Sequence, residues 1–165
     1  MKEIINQNVE KLIEMVTDVR VCMLITKEKN AENLSGRPMS ISKIDADGTL
    51  WFFTKASSYK VEEIGESKKV SISITNESSN NYLMIHGTAT LVSDKTKMTE
   101  LWNSIMKAWF PLGLADPDMT LIKVIPNEVE YWDSSSSKMV VLFNMLKAIV
   151  TRKEYEEGEH GKINL

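Results

Sequence analysis

Arg37-Pro38-Met39-Ser40, then Asp45-Ala46-Asp47-Gly48, then Trp51-Phe52-Phe53-Thr54 and Ser57-Ser58-Tyr59-Lys60 follow one another within one short segment. The reading of this segment decides the fold. Asp47-Gly48 between two apolar runs is a hairpin signal, so residues 38–44 and 49–54 are expected to pair as two strands. Ser58 stands where a helix would begin. The hairpin and the helix entry bring one arginine, one lysine and several hydroxyls into a small region. Arginine offers a planar fork to phosphate and lysine a point charge, while the first N–H groups of a helix add donors for an anion. That donor set suits a planar ligand with a phosphate tail.

Outward from the segment the chain is rich in strands. Residues 20–26, 69–75, 82–92, 119–126 and 128–133 have strand character, and Val70-Ser71-Ile72-Ser73-Ile74-Thr75 alternates apolar and hydroxyl residues cleanly. Residues 2–17 place Ile5, Val9, Leu12, Ile13 and Val16 at helical spacing. A short helix is expected from Ser58 to just before Gly65, with Gly65 as its C′ residue. Another is expected from Asp94 to Trp109, with Met98, Leu101, Trp102, Ile105 and Met106 facing the core and Pro111 ending it. Residues 29–36 read as a polar loop leading into Arg37. Many short strands with few helices favour a mainly β protein: a small antiparallel barrel with helices at its rim.

At 165 residues the chain is long enough for one domain with a real core. Residues 1–133 form the expected barrel domain. Residues 134–165 add a serine-rich connector, an apolar helix over 139–150 and a polar tail, packed on the same domain or on a partner. A net charge of −3 argues against general nucleic-acid binding. The single cysteine, Cys22, lies in an apolar run; it reads as a core thiol and fits a reducing, cytoplasmic setting. No signal peptide is read at the N-terminus. The 139–150 run falls short of the roughly 18–20 residues a spanning helix needs, so no membrane span is expected.

Most chemical motifs are absent. No Gly-x4-Gly-Lys phosphate loop or Gly-rich dinucleotide fingerprint occurs. The two histidines, His86 and His160, have no spacing suited to zinc. His86 reads as structural or solvent-facing, Asp116-Pro117-Asp118 as a turn and strand entry whose two carboxylates could line a pocket, and no nucleophilic triad assembles. Metal sites are not expected, and no catalytic residue can be named.

The Arg37–Lys60 segment resembles the FMN-binding signature of the pyridoxamine 5′-phosphate oxidase-like split barrels, the general stress protein branch in particular. Arg37-Pro38-Met39-Ser40, Phe53-Thr54 and Ser58-Tyr59-Lys60 stand where that signature places an arginine strand, an aromatic-threonine pair and a Ser-x-Lys. Tyr82 to Asp94 is similar to the family's long central strand, with Gly87 at its usual glycine, and Asp116 to Trp132 to its closing strands. The resemblance implies a split β-barrel binding FMN. Arg37, Ser58 and Lys60 would hold the phosphate, Met39 and Ser40 would face the ring through their backbone, and Phe53 and Thr54 would contact the ribityl chain or phosphate. Trp132, and also Trp109, would approach from the partner subunit of a homodimer with FMN at its interface.

Departures from the family pattern bear on the reaction. Ser42 stands where true pyridoxamine phosphate oxidases carry a substrate-contacting lysine, and Trp109-Phe110-Pro111-Leu112-Gly113-Leu114 is apolar where they grip the substrate phosphate. Tyr59 replaces an arginine often found before the phosphate-binding lysine. The reading is therefore an FMN-dependent oxidoreductase with a small apolar or aromatic substrate, rather than a vitamin B6 oxidase. Two alternatives stay open: a flavin-binding buffer or stress-linked sensor without turnover, and a split barrel holding deazaflavin or haem.

Overall fold

The computed structural model describes residues 2–133 and 159–164. Eleven regular elements run in chain order: α1 (Lys2–Thr17), β1 (Val21–Lys27), β2 (Leu34–Ser40), β3 (Lys43–Ile44), β4 (Leu50–Lys55), α2 (Tyr59–Glu66), β5 (Lys69–Asn76), β6 (Asn81–Val92), α3 (Lys95–Leu101), β7 (Met119–Asp133) and β8 (Glu159–Asn164). All strand pairs are antiparallel, in the order β2-β1-β5-β6-β7-β4-β3, with β8 added on β7. The two edge strands, β2 and β3, are joined by Ile41 and Ser42 alone. Ile41 N–H donates to Arg20 O on the β1 side, and Ser42 N–H donates to Trp51 O on the β4 side. One continuous segment thus changes partner midway, which draws the ends of the sheet together into a split barrel.

This crossover corrects one sequence expectation. Arg37 to Ser40 do not share a hairpin with Trp51 to Thr54: they pair with Val21 to Leu24 on β1, and only Lys43 and Ile44 pair with β4. Leu34 to Gly36, expected in a loop, begin β2. The Asp47-Gly48 turn does form, with Gly48 at φ 84° in the region glycine favours.

β4 is buried along both faces, which explains its unbroken apolar run. Leu50 and Phe52 point into the barrel with Leu24, Ile72, Ile85 and Val124, and Leu12, Met15 and Val16 of α1 pack against them. Trp51 and Phe53 point outward into a second cluster with Met98, Leu101, Met106, Phe110 and Leu121. Asp94 caps α3 by accepting from the N–H groups of Thr96 and Lys97. The expected long helix breaks at Trp102 and Asn103; Asn103 then caps a 3₁₀ turn over Ser104–Ala108. The break re-aims the apolar stripe, so Met106 is buried while Ile105 is 63% exposed.

Two further differences concern chain punctuation. α2 runs through Gly65 to Glu66 and is capped at Ser67, so Gly65 is a helical residue without positive φ. The polar tail supplies a strand: Glu159 to Asn164 pair with Glu128 to Asp133. A β-bulge separates His86 from Gly87, and a Cβ at Gly87 would lie 2.7 Å from Ile125 O. The glycine there permits β6 and β7 to approach closely. The expected 139–150 helix lies outside the described residues. Among the described residues no helix is long and apolar enough to cross a membrane.

Candidate functional site

A groove of about 280 Å³ opens between β2, the end of β4, the start of α2 and the 3₁₀ turn. Pro38, Met39, Ser40, Phe53, Thr54, Ser58 and Lys60 line it, joined by Met106, Trp109 and Phe110. Six of the sequence-predicted residues (Met39, Ser40, Phe53, Thr54, Ser58 and Lys60) therefore meet in one place. They do so because β2 is a free sheet edge and β4 delivers the chain directly into α2.

The edge of β2 explains how backbone reaches the groove. Ile41 and Arg20 form a hydrogen-bonded pair, and in an antiparallel ladder such pairs alternate. Met39 and Arg37 thus turn their peptide groups toward β1, while the N–H and C=O of Ser40 and the C=O of Pro38 face away from the sheet. Ser40 and Pro38, rather than Met39, present the edge groups a planar ligand could read.

The polar end is closely organised. Ser58 Oγ donates to Lys55 O at 2.7 Å and lies 3.3 Å from Thr54 Oγ1. Asp118 ties the preceding turn down: its two oxygens accept from Ser57 N–H at 2.8 Å and Ser57 Oγ–H at 2.7 Å. These bonds hold the Asp118 carboxyl below its usual range, the Ser57 side-chain bond foremost. Lys60 is pulled below the ordinary lysine range, first by burial and then by the charge of Arg37, with Glu63 opposing. Among the described residues Lys60 forms no salt bridge. It is a half-buried cation poised for an anion.

Arg37 and Trp132 do not line the groove. Arg37 Nη1 and Nη2 both donate to Glu63 Oε2 at 2.8 Å, and its charge is felt at Lys60. It stands behind the polar end. Trp132 pairs with Tyr82 far along β7 from Thr120, which pairs with Thr54; that is roughly 40 Å of strand path. Trp109 lies in this chain's own groove, 56% exposed. Sequence reasoning missed Glu63, which looks like an ordinary helical acid, and the bracing role of Asp118, which reads from sequence as a turn residue or a pocket-lining carboxylate.

The other candidate groups are placed elsewhere. His86 Nδ1 is 2.8 Å from Ser71 Oγ across β5 and β6, and it does not line the groove. Burial pushes the Cys22 thiol up to about 12, which makes it a core residue without nucleophilic character at neutral pH. Ser42 Oγ is buried at the crossover with no hydrogen-bond partner among the described residues. Among the described residues no cluster of acids, histidines and cysteine could hold a metal ion.

Known proteins resemble this chain in fold or in sequence. General stress protein 26 of Jannaschia sp. CCS1 superposes with a TM-score of 0.79 at 23% identity, covering 96% of this chain and 99% of its own. A general stress FMN/FAD binding protein from Xanthomonas citri superposes at 0.67 with 25% identity, over 83% of this chain and 93% of that one. Protein bli-3 of Neurospora crassa is 23% identical over 158 residues, 90% of this chain and 76% of bli-3. Residues 7–156 match the sequence profile described as pyridoxamine 5′-phosphate oxidase like, and the chain belongs to that family.

Proposed function

We propose that the chain is an FMN-binding protein, and that it works as an oxidoreductase on a small apolar or aromatic substrate. The observation that carries this reading is the groove itself. In it a half-buried Lys60 with no salt-bridge partner among the described residues, two hydroxyls and the edge of β2 converge on one side of an apolar wall. The phosphate belongs at Thr54, Ser58 and Lys60, with Arg37 turning its remaining N–H donors toward it from behind. The ring belongs against the β2 edge at Pro38 and Ser40, where main-chain groups meet its polar rim. At about 280 Å³ the groove of one chain is small for a flavin, which supports a homodimer in which a partner subunit, through Trp132, closes the site. When bound, the flavin supplies the electron transfer, and the protein supplies orientation and electrostatics.

One observation favours a reading without turnover. Among the described residues the ionisable side chains lining the groove are Lys55 and Lys60, with no histidine, cysteine or carboxylate. A flavin buffer or sensor needs no acid or base there. Purified protein separates the readings: yellow protein releasing FMN in acid supports the cofactor assignment, and colourless protein indifferent to added FMN refutes it. Anaerobic reduction by NADH or NADPH, followed by reoxidation with an added aromatic acceptor, marks an enzyme; a flavin that stays oxidised marks a carrier.

A further inference from the structure

Glu63 lies one helical turn beyond Lys60 on α2, and its side chain is 9% exposed. A single oxygen, Oε2, receives three donors: Thr26 Oγ1 at 2.6 Å and Arg37 Nη1 and Nη2 at 2.8 Å each. Thr26 is itself buried, on β1 next to the strand that carries Arg37. Burial works against the Glu63 anion, but the bonds from Thr26 and Arg37 and the charges of Arg37 and Lys60 outweigh it, and the carboxyl stays below its usual range.

A guanidinium is a rigid plane with five N–H donors. Two of them are spent on Glu63, which fixes the plane, and among the described residues the remaining three meet no acceptor. A buried strut would balance its charges. Here two cations, Arg37 and Lys60, stand with one carboxylate, and a half-buried excess of positive charge is unfavourable unless an anion completes it. We propose that Glu63, braced by Thr26, is the positioning residue of the anion end: it clamps the Arg37 guanidinium so that its free donors serve the same phosphate as Lys60. This inference rests on the flavin reading and assigns Glu63 a role in selecting phosphorylated over unphosphorylated flavin.

The test titrates the full-length apoprotein with FMN and with riboflavin, which lacks the phosphate. Glu63→Asp keeps the charge but withdraws the acceptor by one methylene. It is expected to lower the FMN-over-riboflavin preference about tenfold, the loss of one charge-assisted hydrogen bond, with riboflavin affinity unchanged. Glu63→Gln keeps an acceptor oxygen in place and is expected to hold the preference at or above wild type. On an Arg37→Ala background, Glu63→Asp should cost nothing further. A preference unchanged in E63D, or one that falls in E63Q and not in E63D, overturns the proposal while leaving the flavin reading intact. Failure of the wild type to bind either flavin would overturn both. Riboflavin affinity reports whether each variant is folded.

Discussion

At one end of the groove Thr54, Ser58 and Lys60 sit among fixed partners; at the other, Met106, Trp109 and Phe110 form a wall carried by a single 3₁₀ turn. The supports of the first end each reach a second element: Ser57 is tied to Asp118 at the entry to β7, Arg37 to Glu63 on α2, and Glu63 to Thr26 on β1. The wall is anchored chiefly by Phe110, whose ring lies 6.3 Å from that of Phe53. Around it Ile105, Trp109 and Leu112 remain more than half exposed. The difference teaches where specificity resides. Preorganised donors recognise an anion whatever is attached to it, whereas an exposed apolar wall takes its selectivity from what packs against it.

The largest effects are expected at the polar end. Replacing both Arg37 and Lys60 by Ala should weaken FMN about hundredfold, since it removes two charge-assisted hydrogen bonds to the phosphate. Riboflavin should suffer far less; fluorescence titration of the apoprotein measures both. Asp118→Ala frees the turn before α2 and should weaken FMN roughly fivefold, the cost of a less ordered donor set, with a normal melting profile. Trp109→Ala should change FMN affinity by no more than about threefold, since an exposed side chain contributes little to an anion site. It should, however, abolish discrimination among aromatic electron acceptors in steady-state assays. A larger effect on FMN than that of Asp118→Ala would reverse the assignment of the two ends.

Acid provides the smallest and most specific probe. The Glu63 carboxyl is depressed in the folded state. Its stabilising contribution is therefore present above the ordinary glutamate range near pH ~4.3 and is lost as pH falls through its lower folded value. Urea midpoints of the wild type should drop on acidification more than those of Glu63→Gln, which is less stable at neutral pH but flatter below it.

The barrel was legible because its signals are local: the alternation of Val70 to Thr75, the Asp47-Gly48 turn and the apolar run of β4 each report an immediate neighbourhood. The pairing of β2 with β1 was not, because Arg37 to Ser40 look equally suited to either neighbour and the choice is made by barrel closure at Ile41 and Ser42. The same limit applies to the stripe from Met98 to Trp109, where helical periodicity persists across a break that Asn103 imposes by capping a new turn. In the groove, Thr54, Ser58 and Lys60 could be named as donors from the segment itself, while Met39, Ser40 and Phe53 were named through the resemblance to the split-barrel signature. Glu63 could not, since a glutamate flanked by Glu62 and Ile64 gives no sign that β1 and β2 will bury it. Long-range contacts convert an ordinary helical acid into the hub of the polar end.

We propose that the polar end of the groove reads the phosphate of a flavin mononucleotide. Parallel titration of wild-type apoprotein with FMN and riboflavin tests it most directly. FMN is expected to bind about a hundredfold more tightly, the worth of two charge-assisted hydrogen bonds. Equal affinity for the two flavins would contradict it.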